Sequence, residues 1–375
     1  MKVFDILPPA SPRHGFLRTV SAWKDAALVE FGPEGTMNYA QMSIPGVYDN
    51  LFTTGMEESQ IIFGDTDNLA SCIREVDRNL HPRLLIVTSS PVSEIIGTDL
   101  RLVCLENQDE VGAELMIYDS VPMEEEEKSG RKSAFLLASR FLPRLPEMEK
   151  QGILVLGLDQ TDYNGISDLN ELRRMGEAYF SLSCRNDAYG RYSLRDLSQA
   201  ELILTVDPAA EILAQEAQKL WGTPWCSGLC YGREQSEALV SRMASLLGRA
   251  PSKAYEEDRA SAERVRRRFR SLQRTMLPSF LHLELEQHRG EALGAFLSRL
   301  GVSWDMPQDP RHGTWKKSDI LLGSGVLCSL FPESPSFCMD YPGVRHSPIG
   351  EHCPYMGFRG EETLLMELSN ILPTV

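Results

Sequence analysis

Two cysteines stand close together in Cys226-Ser227-Gly228-Leu229-Cys230, directly after Trp225. A spacing of four would put both sulfurs on one face of a helix, where thiolates could take a soft metal ion, but Pro224 and Gly228 favour a loop. Two thiols do not complete a tetrahedral or cluster site. Further ligands would have to come from the distant Cys328, Cys338, Cys353, His346 or His352. Cys226, Cys230, Cys338 and Cys353 therefore stand as a candidate metal set. The competing reading is ordinary packed thiols, because a free cysteine behaves as a small apolar residue. His346 and His352 flank Ser347-Pro348-Ile349-Gly350-Glu351, a stretch that reads as surface loop.

Other chemistries lack their residues. A phosphate cradle needs Gly-x-x-x-x-Gly-Lys-Ser/Thr so that backbone amides and a lysine converge on the phosphate oxygens, and no such run occurs. Gly-x-Gly-x-x-Gly and Gly-x-Ser-x-Gly are also missing, which removes the dinucleotide fingerprint and the commonest serine hydrolase signal. The chain has 375 residues, with 38 Lys and Arg against 53 Asp and Glu, a net charge of −15. Such a balance argues against general binding to nucleic acid phosphates. With 42% hydrophobic and 24% charged residues, the composition is that of globular domains. No eighteen-residue apolar run marks a membrane helix, and the proline-broken opening residues do not read as a signal peptide. A cytoplasmic protein is expected, and its eight cysteines are too dilute for a disulfide scaffold.

The elements that must position these residues alternate short β-rich runs with longer helical patterns, which predicts parallel α/β layers. Residues 1–148 form the first expected domain, with strands at 26–31, 83–89 and 114–119 and a helix at 69–80. The acidic run Glu124-Glu125-Glu126-Glu127-Lys128-Ser129-Gly130-Arg131 reads as an exposed turn or helix start. Residues 149–250 form a second small unit, with strands at 152–157 and 202–206, a helix at 209–221, and Gly176 as a helix stop. The third, 251–375, opens with a charged helix at 256–277. Its acids precede Arg264, Arg266, Arg267, Arg268 and Arg270, an order that suits the helix dipole. That helix is either solvated, lodged between domains, or a surface for an acidic partner. Strands at 281–286 and 318–322 and helices at 291–300 and 361–372 complete the reading.

Several segments, in order, resemble the component 1 family of nitrogenases and nitrogenase-like reductases. Gly32-Pro33-Glu34-Gly35-Thr36-Met37-Asn38-Tyr39 is similar to the family's Gly-Pro-x-Gly-Cys-x-x-Tyr. The Thr-rich segment 53–64 is similar to one ending in Val-Phe-Gly-Gly. Residues 87–99, with Thr88, Glu94, Ile95, Ile96, Gly97 and Asp99, resemble Val-x-Thr-Cys-x-x-Glu-Ile-Ile-Gly-Asp-Asp. Gly222-Thr223-Pro224 resembles a Gly-x-Pro turn. Segments 318–323 and 356–360 resemble the family's late strand and helix entry. The resemblance implies three Rossmann-like, doubly wound parallel-sheet domains around a central cleft. It also implies a hetero-oligomeric oxidoreductase, in which a second component 1-like subunit and an ATP-dependent iron–sulfur reductase take part in electron transfer.

The same resemblance implies an iron–sulfur cluster held by first-domain cysteines at the subunit interface. Here Thr36 stands in one cysteine's place and Ser90 or Pro91 in another's, and the first cysteine of the chain is Cys72. Hydroxyl oxygens do not replace soft thiolates. At the end of the second-domain strand, where the family's cofactor cysteine would fall, the chain reads Val206-Asp207-Pro208, and the cofactor histidine lacks a clear counterpart near Cys338. Gly32, Gly35, Thr36, Tyr39, Ser90, Glu94, Gly97 and Asp99 are the expected interface residues. Their plainer roles would be tight turns for the glycines and helix caps for the acids. Three functions follow from the resemblance. The chain is a β-like subunit whose cluster is shared with or carried by a partner, a scaffold in metallocofactor maturation, or a binder of another ligand such as a tetrapyrrole or organosulfur compound in the cleft.

Overall fold

A computed structural model describes residues 11–43, 49–57, 66–118, 127–273, 280–308, 315–316, 319–340 and 352–371. Residues 58–64 of the Thr-rich segment, the acids at 124–126, Tyr341 and His346 lie outside the described residues.

The first sheet is assembled from α1 (Pro12–Ser21), β1 (Ala26–Phe31), α2 (Glu34–Ser43), β2 (Leu51–Thr53), α3 (Asp67–Leu80), β3 (Leu84–Ser89), α4 (Pro91–Ile96), α5 (Leu100–Asn107), β4 (Glu114–Tyr118) and α6 (Glu127–Phe141). Its strands run parallel in the order β2-β1-β3-β4. Every residue of β1 is buried, as expected when helices cover both faces of a parallel sheet. Ser11 caps α1 by accepting the His14 N–H, with Pro12 preset at the first helical position. The expected 114–119 strand is found, ending at Tyr118 within the described residues.

The second sheet, β5-β6-β7, is built from β5 (Ile153–Leu156), α7 (Gly165–Phe180), α8 (Asp196–Gln199), β6 (Leu202–Thr205), α9 (Glu211–Trp221), β7 (Trp225–Ser227) and α10 (Gly232–Leu247). Two expectations fail here. Gly176 does not stop its helix, which runs on to Phe180; a Cβ at 176 would sit 2.5 Å from Ile153 Cδ1, so the glycine lets α7 lie close on β5. Cys226 is not in a loop but on β7, where pairing with Leu204 of β6 overrides the weak local signal of Pro224 and Gly228.

The third sheet has the order β11-β10-β8-β9 and comes from α11 (Lys253–Gln273), β8 (Phe280–Leu283), α12 (Gln287–Arg299), β9 (Ser303–Asp305), β10 (Asp319–Ser324), α13 (Gly325–Leu330), β11 (Ser336–Asp340) and α14 (Gly357–Ile371). Helices α12 and α14 each start four residues before the expected positions. Arg266 on α11 is not solvated: it is 2% exposed and held by Glu361 of α14 at 2.6 Å and by Glu234 of α10.

The apolar cores cross the sheet boundaries. One unites Phe16, Trp23 and Phe135 with Leu154 and Leu213 of the second unit. Another unites Leu172 and Met175 with Leu283, Phe296 and Leu365. Each such Leu or Phe side chain stabilises by about 1.5–3 kcal/mol when fully buried. Shared cores lock the three sheets together and set the charged ends of their strands against one another. No helix of the described residues is long and apolar enough to cross a membrane.

Candidate functional site

At the ends of β1 and β3 the structure brings together Gly32, Thr36 and Ser90. Ser90 caps α4 and donates its N–H to Phe31 O at 3.0 Å. Gly32 lies so close that a Cβ there would fall 2.4 Å from Ser90 Cβ, which is why that turn requires glycine. Thr36 Oγ1 donates to Glu30 Oε1 at 2.7 Å, and Arg13 Nε donates to Glu30 Oε2 at 2.7 Å. Glu30, the last residue but one of β1, is fully buried. Thr53 Oγ1 donates to Gly32 O at 2.8 Å, and the Gly32 N–H donates to Thr54 Oγ1 at 3.1 Å.

The remaining expected interface residues spread outward from this point. Gly97 closes α4 in the left-handed region (φ 72°), and Asp99 caps α5 by accepting the Arg101 N–H at 3.0 Å. Gly35, Tyr39 and Glu94 are exposed. The residues do not fit an iron–sulfur cluster. Cluster iron needs thiolates, and here a buried carboxylate, a guanidinium and hydroxyls occupy the space between the strand ends. The first-domain cysteines, Cys72 on α3 and Cys104 on α5, pack among apolar residues, and burial pushes both thiols up to about 11.

A second polar centre lies where the three sheets meet. Arg131 of α6 bridges Asp207, 3.0 Å away after β6, and Glu286, the residue before α12. Arg18 of α1 donates to Asp162 at 2.7 Å, and Arg289 of α12 reaches the same carboxylate at 3.0 Å. Arg131 is thus buried in ion pairs, not exposed as the acidic run suggested. Burial and the charge of Asp162 push Asp159 up to about 6. Burial raises Asp162 as well, but Arg18 and Arg289 outweigh it and hold that carboxyl below its usual range. The cavity between these groups, lined by Arg18, Arg131, Asp159, Asp162, Tyr192 and Asp207, measures about 20 Å³. That is room for about one water molecule. The junction is closed by its own ion pairs.

The candidate metal set is not assembled. Cys226 lies on β7 and Cys230 beyond it, Cys338 on β11, and Cys353 is exposed ahead of α14. Burial pushes Cys226 up to about 11 and Cys230 to about 12, as for packed thiols. Among the described residues no three His, Cys, Asp or Glu side chains are grouped to hold a metal ion. Sequence reasoning missed Arg13, Arg18, Asp162, Glu286 and Arg289, whose partners come from remote segments. Glu30, a lone charge in an apolar strand, was the one local signal available.

The sequence profile of the nitrogenase component 1 type oxidoreductase family matches residues 11–277. The chain belongs to that family. Among curated relatives of this component 1-type chain, the nitrogenase iron-molybdenum cofactor biosynthesis protein NifE of Clostridium pasteurianum is 25% identical over 236 residues, 60% of this chain and 50% of that protein. One subunit of the light-independent protochlorophyllide reductase of Chloroflexus aurantiacus is 23% identical over 246 residues, 63% of this chain and 45% of that protein. The chain spans about half the length of the curated relatives it matches. A solved structure described as nitrogenase Cp1 at pH 6.5 superposes with a TM-score of 0.72 at 14% identity, over 97% of this chain and 93% of that one. This component 1-type chain therefore has the α/β fold of three parallel sheets that its motifs implied.

Proposed function

We propose that the chain is a β-like subunit of a nitrogenase-like oxidoreductase complex. It pairs with a second component 1-type subunit that carries the cluster thiolates, and electrons arrive from a separate ATP-dependent iron–sulfur reductase. The observation that carries this reading is the Arg13–Glu30–Thr36 network, which fills the strand ends where the family's thiolates would stand and leaves the chain a fold without its own cluster ligands. Large apolar side chains exposed on helices of the first sheet support a protein partner: Tyr39 on α2 is 46%, Ile95 on α4 88% and Leu105 on α5 75% exposed. A partner laid over them would remove this apolar surface from water.

The role of this chain in such a complex is positional. Its packed junction holds charges in ion pairs, and its first domain presents the apolar helices to the partner. The alternative, a scaffold for metallocofactor maturation, is favoured by one observation, the match to relatives described as cofactor biosynthesis proteins.

Anaerobic purification of the chain alone, and together with a co-encoded component 1-type chain, separates these readings. The expected result is a colourless lone chain and an iron-containing, visibly absorbing complex that is reduced when reductase and ATP are added. A complex that stays colourless sinks the redox-subunit reading. A complex that carries iron but yields it to an apo-acceptor, without turnover, favours the scaffold.

A further inference from the structure

Strand β7 ends the second sheet on one side and has a neighbour, β6, along one edge only. On that edge Pro224 O accepts the Ile203 N–H at 3.0 Å, and the Gly228 N–H donates to Thr205 O at 2.8 Å. Backbone groups along an extended strand alternate sides with period two. Residues 224, 226 and 228 therefore serve β6, while the N–H and C=O of Trp225 and Ser227 point away from it. Among the described residues no strand takes up that outer edge. Nor is the edge blunted: β7 carries no charged residue, proline or bulge, the devices by which exposed edges avoid pairing.

The outer edge runs along a groove of about 590 Å³ between the two helices that flank the sheet. Helix α9 packs on the face that carries Ile203 and Trp225, and α10 on the face that carries Leu204 and Cys226. Gln218 of α9 and Trp225 form one wall, fixed by the Trp225 Nε1 that donates to Gln218 Oε1 at 3.1 Å. Leu239, Arg242 and Leu246 of α10 form the other. Arg242 is exposed there, and no carboxylate pairs with it among the described residues. Its neighbours differ: Arg233 of the same helix, Arg249 just beyond it and Arg259 of α11 are each held by a glutamate. The groove thus joins four outward backbone groups, apolar walls and one cation that lacks a counter-charge.

We propose that the outer edge of β7 takes an extended acidic segment of another protein as a fourth strand, with a carboxylate of that segment paired to Arg242. The segment's backbone satisfies the N–H and C=O of Trp225 and Ser227, as in recognition by strand addition. Its side chains alternate between the wall of Trp225 and Gln218 and the wall of Leu239 and Leu246. The charge-assisted contact with Arg242 fixes which register the segment adopts. The three residues of β7 offer about 10 Å of edge at about 3.3 Å per residue, so the segment is short. The flanking helices leave a slot for one strand and keep a second sheet from stacking there. A small carboxylate ligand would use Arg242 and the apolar walls but leave the outward backbone groups to water, which is why the peptide is the occupant the groove favours. This surface belongs to the second sheet, apart from the first-domain helices assigned above to the component 1-type partner, and it does not depend on that assignment.

The test titrates the full chain into fluorescein-labelled peptides of alternating valine and threonine with one glutamate, placed at each position in turn, and reads anisotropy. At least one peptide should bind saturably. Replacing its glutamate by glutamine, or N-methylating its backbone amides, should weaken binding by about tenfold or more, the loss of an ion pair or of edge hydrogen bonds. Arg242→Glu should weaken the glutamate peptide and strengthen the matching lysine peptide, a charge swap that a misfolded variant would not show. Ser227→Pro removes one outward N–H and leaves the ladder to β6 in place. It should keep the thermal melting temperature of the natural chain and weaken binding by about tenfold. No binding by any peptide in the set, binding unmoved by N-methylation, as for a small carboxylate seated on Arg242, or binding unmoved by Arg242→Glu would each overturn the proposal.

Discussion

Asp168 gives the sharpest quantitative test of how the second and third units are joined. It lies buried near the start of α7, and its Oδ1 accepts the Tyr355 N–H at 2.6 Å and the Met356 N–H at 2.9 Å, fastening the entry of α14. Burial pushes its carboxyl from 3.8 up to about 7, against the lowering pull of those two donors and of Arg289. The folded chain therefore holds a proton that the unfolded chain releases near 3.8. Stability from this residue is complete below that pH, falls as pH rises toward 7, and is level above. At about 1.4 kcal/mol per unit, a rise of about three units amounts to about 4 kcal/mol. Roughly a third of this is lost by pH 5, which leaves on the order of 2–3 kcal/mol to be lost between pH 5 and pH 8. Asp168→Asn keeps an Oδ1 acceptor and cannot ionise. Urea unfolding of both proteins, followed by tryptophan fluorescence, should show the variant gaining on the order of 2–3 kcal/mol on the natural chain between pH 5 and pH 8. A difference that stays constant within about 0.5 kcal/mol over that range, or one that shrinks, would refute the assignment of a buried, protonated carboxyl.

Arg131→Met strands the buried charge of Asp207 and should lower unfolding free energy by about 3 kcal/mol, with at least about 1 kcal/mol regained on adding Asp207→Asn; denaturant titration reads both. Gly176→Ala places a Cβ 2.5 Å from Ile153 Cδ1 and should cost about 1–3 kcal/mol. Adding Ile153→Val, which removes that methyl, should recover part of the loss; no recovery in thermal melts would mean the glycine matters for another reason. Thr36→Cys with Ser90→Cys should leave the lone chain free of stoichiometric iron, because Glu30 and Arg13 still fill the space. An iron assay with strong visible absorption would contradict this.

The strands were legible where a parallel sheet buries both faces. The runs at 26–31, 83–89 and 202–206 each carry at least three consecutive apolar residues, and they appear as β1, β3 and β6. Legibility failed where pairing with a remote strand decides the matter. The short β7 becomes a strand because β6 lies beside it. Gly176 misled because its lack of a side chain serves contact with β5, not helix termination. At the candidate sites, Thr36 and Ser90 could be read as cysteine replacements from their motifs. What stands around them could not, since Arg13 arrives from α1 and Thr54 from beyond β2.

The order of elements, the family frame and the lack of cysteines at Thr36 and Ser90 belong to the sequence itself, because hydrophobic period and residue identity are local properties. Which charges become buried, only the tertiary structure decided. Arg18 and Asp162 are 144 residues apart in sequence yet 2.7 Å apart in the fold. Burial and protonation depend on neighbours supplied by distant segments, and those neighbours exist only once the shared cores have drawn the three sheets together.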